Sequence, residues 1–552
     1  CRMNDCSQTL NHYTKSLAIA TLCCSHKQAR KHYESEISKL IKKSATKSCD
    51  LDPLPTWLLK SCQDVLLPVI THIVNLSLST SSVPPQMKIA LITPLLKKIL
   101  LDPETLKNFR PVSNLSYISK LIERVVAERL NDHLTSNNLH EVLQSAYKKF
   151  HSTETALLKV QNDLLMSIDA DGGAILVLLD LSAAFDTIDH SVLLNRLSDL
   201  GIHGAVLSWF KSYLTGRRQS VKIKGQRSSE RDLPFGVPQG SVLGPILFTI
   251  YTIPLGNIAR SHGLLYHLYA DDNQLYLSFR PLDPASLKCS LDSVLKCVDE
   301  IKEWLSANFL KFNGDKTEVL IMTSKRLRNL CTIDSVVIDS AHITPSDTVR
   351  NLGAVFDNTM NSEPFVNSKC KGALHALRNI SRVRRSLTSD ATKTLIQAYV
   401  ISRLDYCNSL LYGIPASLMQ RLQRVQNYAA RVTAMAPKRD HVTPVLYKLH
   451  WLPIHQRVDF KMMLYVYKSQ NGLAPAYLRD LLHAYTPSRK LRSADKSFLH
   501  QPHYRTKSYG GRAFAVAAPK MWNELPLEVR LSDSLDIFKK KLKTYLFCKH
   551  YN

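Results

Sequence analysis

The sequence predicts an α+β fold in which a mixed core of strands and helices is followed by a helical tail. The apolar run 174–181 is rich in aliphatic and β-branched residues, which is typical of a strand buried on both faces. Two further apolar segments, 264–269 and 274–278, flank the acid pair Asp271-Asp272 and predict a hairpin with acids at its tip. In the C-terminal third of the chain, apolar residues recur with a helical period and predict helices with basic outer faces.

The other elements follow from the same two periods. From the N-terminus, helices are predicted at 34–43, 55–60, 65–78, 118–134, 191–200 and 287–309, and strands at 89–96, 218–224 and 319–323. A loop that contains Gly and Pro leads into a helix within 236–251. In the tail, helices are predicted at 375–387, 390–402, 418–431, 458–468 and 535–547.

Length and cysteine usage restrict the class of protein. A chain of 552 residues is too long for one compact domain, and no apolar run approaches the about 18 residues of a membrane span. The 12 cysteines are scattered without a C-x-x-C pair, which argues against a zinc site and a disulfide framework. We therefore expect a reduced, intracellular protein of the nucleus or cytoplasm with no membrane partner. Because the chain does not begin with Met, we also expect a fragment or truncated reading frame.

Positive charge is concentrated in the C-terminal part of the chain. The formal net charge is +26, and residues 361–552 hold 32 lysines and arginines against 11 aspartates and glutamates. Such an excess usually meets a polyanion, because neutralising phosphates releases their counterions. The alternative is a basic surface that serves only solubility. We expect this part of the chain to contact nucleic acid.

Carboxylates follow apolar strands at two places, Asp180 and the pair Asp271-Asp272. Burying an unpaired charge costs roughly several kcal/mol, and a bound cation is the simplest compensation. Hard divalent cations prefer oxygen ligands, and phosphoryl transfer to a hydroxyl can use two such ions. The alternative is that these acids lie at strand ends in solvent.

Five short motifs occur in a recognisable order and spacing. They are Leu-Asp-Leu-Ser-Ala-Ala-Phe-Asp-Thr-Ile-Asp-His at 179–190, Gly-Val-Pro-Gln-Gly-Ser-Val-Leu-Gly-Pro-Ile-Leu-Phe at 236–248, Tyr-Ala-Asp-Asp at 269–272, Asn-Gly-Asp-Lys-Thr-Glu at 313–318 and Asn-Leu-Gly-Ala at 351–354. They resemble the A to E motifs of reverse transcriptases, and the likeness extends upstream to Lys97 and to Arg-Pro-Val-Ser-Asn at 110–114. The group that they resemble is the non-LTR (LINE-type, jockey-like) retrotransposon reverse transcriptases.

The resemblance implies a right-hand polymerase whose palm contains an antiparallel sheet. It assigns the chain to five consecutive segments: a polar N-terminal remnant at 1–49, N-terminal helices and fingers at 50–165, the palm with a fingers segment at 166–360, a helical thumb at 361–440 and a basic C-terminal extension at 441–552. It also implies an RNA-directed DNA polymerase, which transfers a nucleotidyl group from a dNTP to a primer 3′-hydroxyl. The implied partners are an RNA template, a DNA primer and dNTPs.

The resemblance also implies a catalytic set. Asp180, Asp271 and Asp272 would hold two Mg²⁺ ions, with Mn²⁺ as a substitute. The backbone carbonyl of Leu181 would be a further metal ligand. Lys316 resembles the lysine proposed to protonate the pyrophosphate leaving group.

Six residues are implied to bind the nucleotide: Lys97, Arg110, Phe185, Gln239, Gly240 and Tyr269. Phe185 occupies the position of a steric gate, an aromatic ring that would clash with a ribose 2′-hydroxyl; the alternative is a core Phe. Lys97 and Arg110 resemble residues that clamp the triphosphate; the alternative is an exposed basic loop. Gln239 and Gly240 would shape the pocket, since a Pro-Gln-Gly turn permits close backbone approach.

Some features depart from the family pattern or leave rivals open. Asn273 stands where close relatives often carry Thr, and Lys-Ile-Leu-Leu at 98–101 replaces a turn with Pro or Gly. No segment resembles an endonuclease or an RNase H, so we expect DNA nicking to come from elsewhere. One rival is an RNA-dependent RNA polymerase, which Phe185 disfavours. The other is an inactive retroelement remnant that binds nucleic acid without catalysis, which the intact aspartates disfavour.

Overall fold

The computed structural model describes residues 29–98, 100–182, 185–331, 333–338, 341–486 and 497–551. Residues 1–28 of the predicted N-terminal remnant, residue 99 of the predicted fingers loop and residues 183–184 of the first motif lie outside this description. The α-helices are α1 Ala29–Lys43, α2 Thr56–Ser61, α3 Gln63–Ser79, α4 Tyr117–Ser136, α5 Thr153–Asp171, α6 His190–Asp199, α7 Gly204–Leu214, α8 Gly244–Tyr251, α9 Ile253–Ser261, α10 Pro284–Ala307, α11 Glu363–Val383, α12 Ser389–Ile396, α13 Ser402–Asp405, α14 Ala416–Ala434, α15 Thr443–Lys448, α16 Ile454–Gln470, α17 Ala476–Arg479, α18 Phe514–Asn523, α19 Leu527–Arg530 and α20 Leu535–Tyr551. The strands are β1 Ile89–Leu96, β2 Phe109–Asn114, β3 Gly173–Ser182, β4 Arg218–Ile223, β5 Gln226–Arg227, β6 Arg231–Asp232, β7 Leu265–Tyr269, β8 Asp272–Phe279, β9 Lys311–Thr323, β10 Val336–Ile338, β11 Ala341–Ile343, β12 Thr348–Asn351 and β13 Ala354–Asp357. None of the helices in the described residues has the length and apolar character that crossing a membrane requires.

One compact unit contains the residues up to 141 together with 181–257 and 301–312. Its sheet has the strand order β2-β1-β4-β5, with β6 beside β4. Strand β1 is antiparallel to β2 and parallel to β4, which lies far along the chain. Helix α4 begins where Ser116 Oγ accepts the backbone N–H of Ser119, an ordinary N-cap. The unit is therefore held together by pairing between distant segments as well as by local hairpins.

The second compact unit contains residues 142–180, 258–300 and 313–551. Its main sheet has the order β7-β8-β3-β9, and β12-β13 and β10-β11 form two small hairpins. Buried apolar side chains from α5, β3, β9 and the C-terminal helices form one continuous core, in which Leu164, Leu176, Met322, Trp522 and Phe538 are each almost fully buried. The predicted C-terminal extension thus shares a core with the strands that carry the acids.

Most of the predicted elements are present in the structure, but β2, α7, α9 and β10 to β13 were not predicted, and α11 begins at Glu363 where residue 375 was predicted. Three further differences have a clear physical reason. Helix α5 was not predicted, because most of its residues are buried, polar ones such as Asn162 and Asp163 included, and no amphipathic stripe results. Strand β9 begins well before the predicted residue 319, since its first half is polar and only partly buried. The helix predicted at 390–402 is divided by a π-helical segment at Gln397–Ile401. The division into fingers, palm, thumb and extension stays a prediction.

Candidate active site

The acid pair lies on a tight hairpin between β7 and β8. Tyr269 and Asp272 are the last paired residues, so Ala270 and Asp271 form a two-residue turn. Ala270 has a φ of +57°, which costs a residue with a Cβ roughly 1 kcal/mol. Its backbone N–H donates a 3.0 Å hydrogen bond to Gln144 Oε1. A buried glutamine, which the sequence did not single out, therefore stabilises the turn that carries the aspartates.

Asp180 comes from the neighbouring strand. Strands β3 and β8 pair antiparallel as far as Leu179 opposite Asn273, and the same register places Asp180 opposite Asp272. Both aspartates line a cavity of about 130 Å³, which Lys316 of β9 also lines. The structure thus brings Asp180 and the predicted acid pair to one end of one sheet. We call Asp180, Asp271 and Asp272 the aspartate cluster.

Two side chains of β9 contact Asp180 directly. Its Oδ2 accepts hydrogen bonds from Asn313 Nδ2 and from Lys316 Nζ, each at 3.0 Å. Lys316 is otherwise well exposed, with 67% of its side chain accessible against 27% for Asp180. Leu181, the predicted backbone ligand, follows Asp180 with its side chain buried. The predicted catalytic lysine therefore lies beside the first aspartate.

The electrostatics of the aspartate cluster favour a cation. The pKa of Asp272 is raised to about 6, first by burial and then by the negative charges of Asp271 and Asp180. Within the described residues, no group of three or more His, Cys, Asp and Glu side chains is arranged to hold a metal ion. The donor set nevertheless fits a hard divalent cation, because carboxylate oxygens are its preferred ligands and the cation would relieve the repulsion.

A buried polar network that the sequence did not reveal lies against β7. Ser145 Oγ is 2.8 Å from His267 Nε2 and 2.8 Å from Tyr477 Oη, which also donates to Thr155 Oγ1 at 3.1 Å. All four residues are buried. Burial is the main cause that lowers the pKa of His267 to about 3, so its ring is neutral at pH 7. We call these four residues the buried network; it joins the C-terminal extension to the strand that leads into the acid pair.

The predicted pocket residues Phe185, Gln239 and Gly240 lie in the other compact unit. The ring of Phe185 stacks on Phe248, with 4.8 Å between the ring centroids, and its backbone carbonyl accepts the N–H of Val237 at 2.9 Å. Gln239 Oε1 is buried and has no hydrogen-bond partner in the described residues. Gly240 has a φ of +124°, and a Cβ there would lie 2.6 Å from the carbonyl oxygen of Ser113. The close approach that requires this glycine is therefore to the chain's own β2.

The predicted clamp residues Lys97 and Arg110 share one hairpin. Arg110 on β2 lies opposite Leu95 of β1, and both clamp residues are exposed. Lys97 Nζ donates to the backbone carbonyl of Lys107 at 2.7 Å. The two clamp residues thus lie on paired strands or just beyond them, and their contact with a triphosphate stays a prediction.

Glu123 supports the second motif and was missed by the sequence analysis. Its Oε2 accepts the backbone N–H groups of Val242 and Leu243, at 2.7 and 3.0 Å. The residue is 1% exposed, and burial raises its pKa. Its position within a helical apolar period resembles that of any amphipathic-helix acid, so the sequence carried no signal for this role.

Comparison with known proteins identifies the central part of the chain. Residues 97–356 match the family described as reverse transcriptase (RNA-dependent DNA polymerase). A probable RNA-directed DNA polymerase from transposon BS of Drosophila melanogaster is 28% identical, over 71% of this chain and 43% of the relative. A probable RNA-directed DNA polymerase from transposon X-element of the same species is 25% identical, with the same coverage. An RNA-directed DNA polymerase from mobile element jockey of Drosophila funebris is 26% identical, over 61% of this chain and 36% of the relative.

The chain spans less than half the length of these relatives. A solved telomerase of Candida albicans, in complex with a fragment of telomeric RNA, overlaps 74% of this chain and 66% of that one at 12% identity. The TM-score of this overlap is 0.35. The family match confirms the predicted resemblance, and it implies a dependence on divalent metal. Residues 97–356 therefore match a reverse transcriptase domain, and the chain is similar to RNA-directed DNA polymerases of non-LTR retrotransposons.

Proposed function

We propose that this chain is an RNA-directed DNA polymerase that extends a DNA primer with dNTPs on an RNA template. The observation that carries the proposal is that Asp180 and the Asp271-Asp272 turn meet on adjacent strands within a reverse transcriptase domain. We assign to the three aspartates two Mg²⁺ ions, which Mn²⁺ can replace, with the carbonyl of Leu181 as a further ligand. When bound, these ions would lower the pKa of the primer hydroxyl and stabilise the leaving pyrophosphate.

The aspartate cluster and Lys316 are assigned the remaining steps of the reaction. The aspartate cluster presents like charges that repel one another until a cation is bound. The primer hydroxyl gives its proton to water as its oxygen bonds to the α-phosphorus, and the bond from that phosphorus to the oxygen that bridges to the β-phosphorus breaks. We assign to Lys316 the proton that this oxygen receives, because its ammonium lies 3.0 Å from Asp180. Lys316 must leave Asp180 for this role, and its high exposure permits that.

Selection of the sugar is assigned to Phe185, and Gln239 is assigned to the wall of the nucleotide pocket. Phe185 is backed by Phe248, and a ring that is supported in this way resists displacement by a 2′-hydroxyl. The unpaired Oε1 of Gln239 is a buried acceptor that a substrate donor can satisfy. The fixed turn at Gly240 holds Gln239 in place, since Ser113 N donates to the Gln239 carbonyl at 2.8 Å.

The test is primer extension by the purified chain on poly(rA) with an oligo(dT) primer. Mg²⁺-dependent incorporation of dTTP, well above that of UTP, is the expected result. Asp271→Ala combined with Asp272→Ala should abolish it. Asp292→Ala is the matched control, because Asp292 is an exposed acid on α10 outside the aspartate cluster. Extension that survives the double substitution contradicts the assignment, and equal use of UTP favours an RNA polymerase.

A further inference from the structure

A second cavity lies within the C-terminal part of the chain. Its volume is about 260 Å³, and side chains of 412–419, 455–459 and 501–520 line it. It shares no lining residue with the cavity of the aspartate cluster. Neither the motifs nor the proposed polymerase reaction assigns a role to it.

Asp459 of α16 gives this cavity an unpaired acceptor. In the part of the chain that the structure describes, its carboxylate makes no hydrogen bond, and the charges that act on it are those of Lys549, which lowers its pKa, and Glu524, which raises it. Burial is the main cause that raises its pKa to about 6, so it is still largely ionised above pH 7. Asp459 is partly buried, and a carboxylate in such a place that makes no hydrogen bond carries a desolvation cost, which a ligand with N–H donors reduces.

The other lining residues combine aromatic faces with positive charge. Tyr412 and Tyr504 both line the cavity, and the nearby charge of Asp459 adds to burial in raising the pKa of Tyr412. Lys507 and Lys520 line it from exposed positions. Aromatic rings that stack on a base, with cations for its phosphates, are the usual means of binding single-stranded nucleic acid.

We propose that this cavity binds an unpaired guanine of a single-stranded nucleic acid. An ionised carboxylate only accepts hydrogen bonds. On its pairing edge guanine presents two adjacent donors, N1–H and N2–H, whereas adenine, cytosine and uracil each place an acceptor beside a donor. Asp459 therefore pairs with the guanine edge, a tyrosine ring stacks on the base, and the lysines contact the backbone phosphates.

Other ligand classes fit the cavity less well. A free phosphate or other small anion is repelled by the Asp459 carboxylate. A metal cation is disfavoured by the two lysines, and the cavity offers only one carboxylate among its lining residues. A nucleotide unit satisfies both charges, since its base carries the donors and its phosphate carries the negative charge.

The test measures binding by fluorescence anisotropy on the full chain carrying Asp271→Ala and Asp272→Ala, so that it does not depend on catalysis. The probes are oligouridylates with one central guanosine, inosine or adenosine. Inosine lacks the 2-amino donor of guanine. We expect the guanosine probe to bind about tenfold more tightly than the other two. The same comparison with deoxyoligonucleotides shows whether the site takes RNA, DNA or both.

Asp459→Asn, added to this background, should remove the preference for guanosine while leaving the salt-dependent binding of all probes. Asp480→Asn is the matched control, because Asp480 is an exposed acid of the same extension that pairs with Arg479. Equal affinity for the guanosine and inosine probes overturns the proposal without any variant. A guanosine preference that persists in Asp459→Asn overturns it as well.

Discussion

Two groups of polar residues include side chains of the β7–β8 hairpin, and they differ in charge and in hydrogen bonding. The aspartate cluster is charged, and two of its members line a cavity; burial and then the charges of Asp271 and Asp180 raise the pKa of Asp272. The buried network is neutral and inaccessible to solvent, and hydrogen bonds link all of its members. The first is unfavourable for the free protein and suited to a ligand. The second contributes to stability and needs none.

Because of this difference, substitutions in the aspartate cluster and in the buried network should have different effects. Removing a repelled charge from the aspartate cluster should cost activity and leave the folded state as stable or more so. Removing a hydrogen bond from the buried network should lower the free energy of unfolding. It should lower activity only if it also displaces the β7–β8 hairpin.

The largest effect is expected for Asp272→Asn. The amide keeps the size of the side chain but loses the charge that a divalent cation needs, so primer extension should fall by at least about 1,000-fold. Because repulsion from Asp271 and Asp180 disappears, the melting temperature should stay the same or rise. Primer-extension rates measure the loss of activity, and thermal unfolding measures the change in melting temperature. A variant that is active but unstable would remove the distinction between the two groups.

A smaller loss is expected for Lys316→Ala. If Lys316 protonates the pyrophosphate, kcat should fall by roughly 100-fold with little change in the KM for dTTP. Lys311→Ala is the control, because Lys311 is an exposed lysine on the same strand. Equal rates for both variants, measured by single-turnover extension, would limit Lys316 to its ion pair with Asp180.

A paired comparison of two tyrosines tests the buried network. Tyr477→Phe removes the hydroxyl that joins Ser145 to Thr155, and Tyr467→Phe removes one that donates to the Ser532 carbonyl at 2.7 Å. Each should lower the free energy of unfolding by about 1 kcal/mol in chemical denaturation. Only Tyr477→Phe should also lower kcat, by roughly tenfold, because of the two hydroxyls only that of Tyr477 supports the hairpin that carries the acid pair. Equal kcat in the two variants would show that the network stabilises the fold alone.

The smallest expected effect is a pH dependence of stability. The pKa of His267 is lowered to about 3 in the folded protein, so its contribution is fully present above its ordinary pKa near 6.5. That contribution is lost progressively as the pH falls from 6.5 towards 3, because the unfolded chain binds the proton first. His267→Gln should flatten this part of the stability profile, as followed by thermal unfolding at several pH values. An unchanged slope would place the acid sensitivity in other groups.

The aspartate cluster was open to prediction from sequence, and the buried network was not. The apolar run before Asp180 and the short strands around Asp271-Asp272 are local patterns, and the structure has both as strands. Tyr477 contacts Ser145 across more than 300 residues of sequence. A buried hydroxyl in a short helix leaves no local pattern, because its partner is fixed only by tertiary packing. Gln144 and the parallel pairing of β1 with β4 could not be predicted for the same reason, since both depend on contacts between residues far apart in the sequence.

The most direct measurement is Mn²⁺ binding, followed by electron paramagnetic resonance, in the presence of primer–template and dTTP. If the three aspartates hold the catalytic ions, the unaltered chain should bind two Mn²⁺ per molecule, and the variant with Asp180, Asp271 and Asp272 all changed to Asn should bind none at the same concentration. Two ions retained by that triple variant would contradict the account.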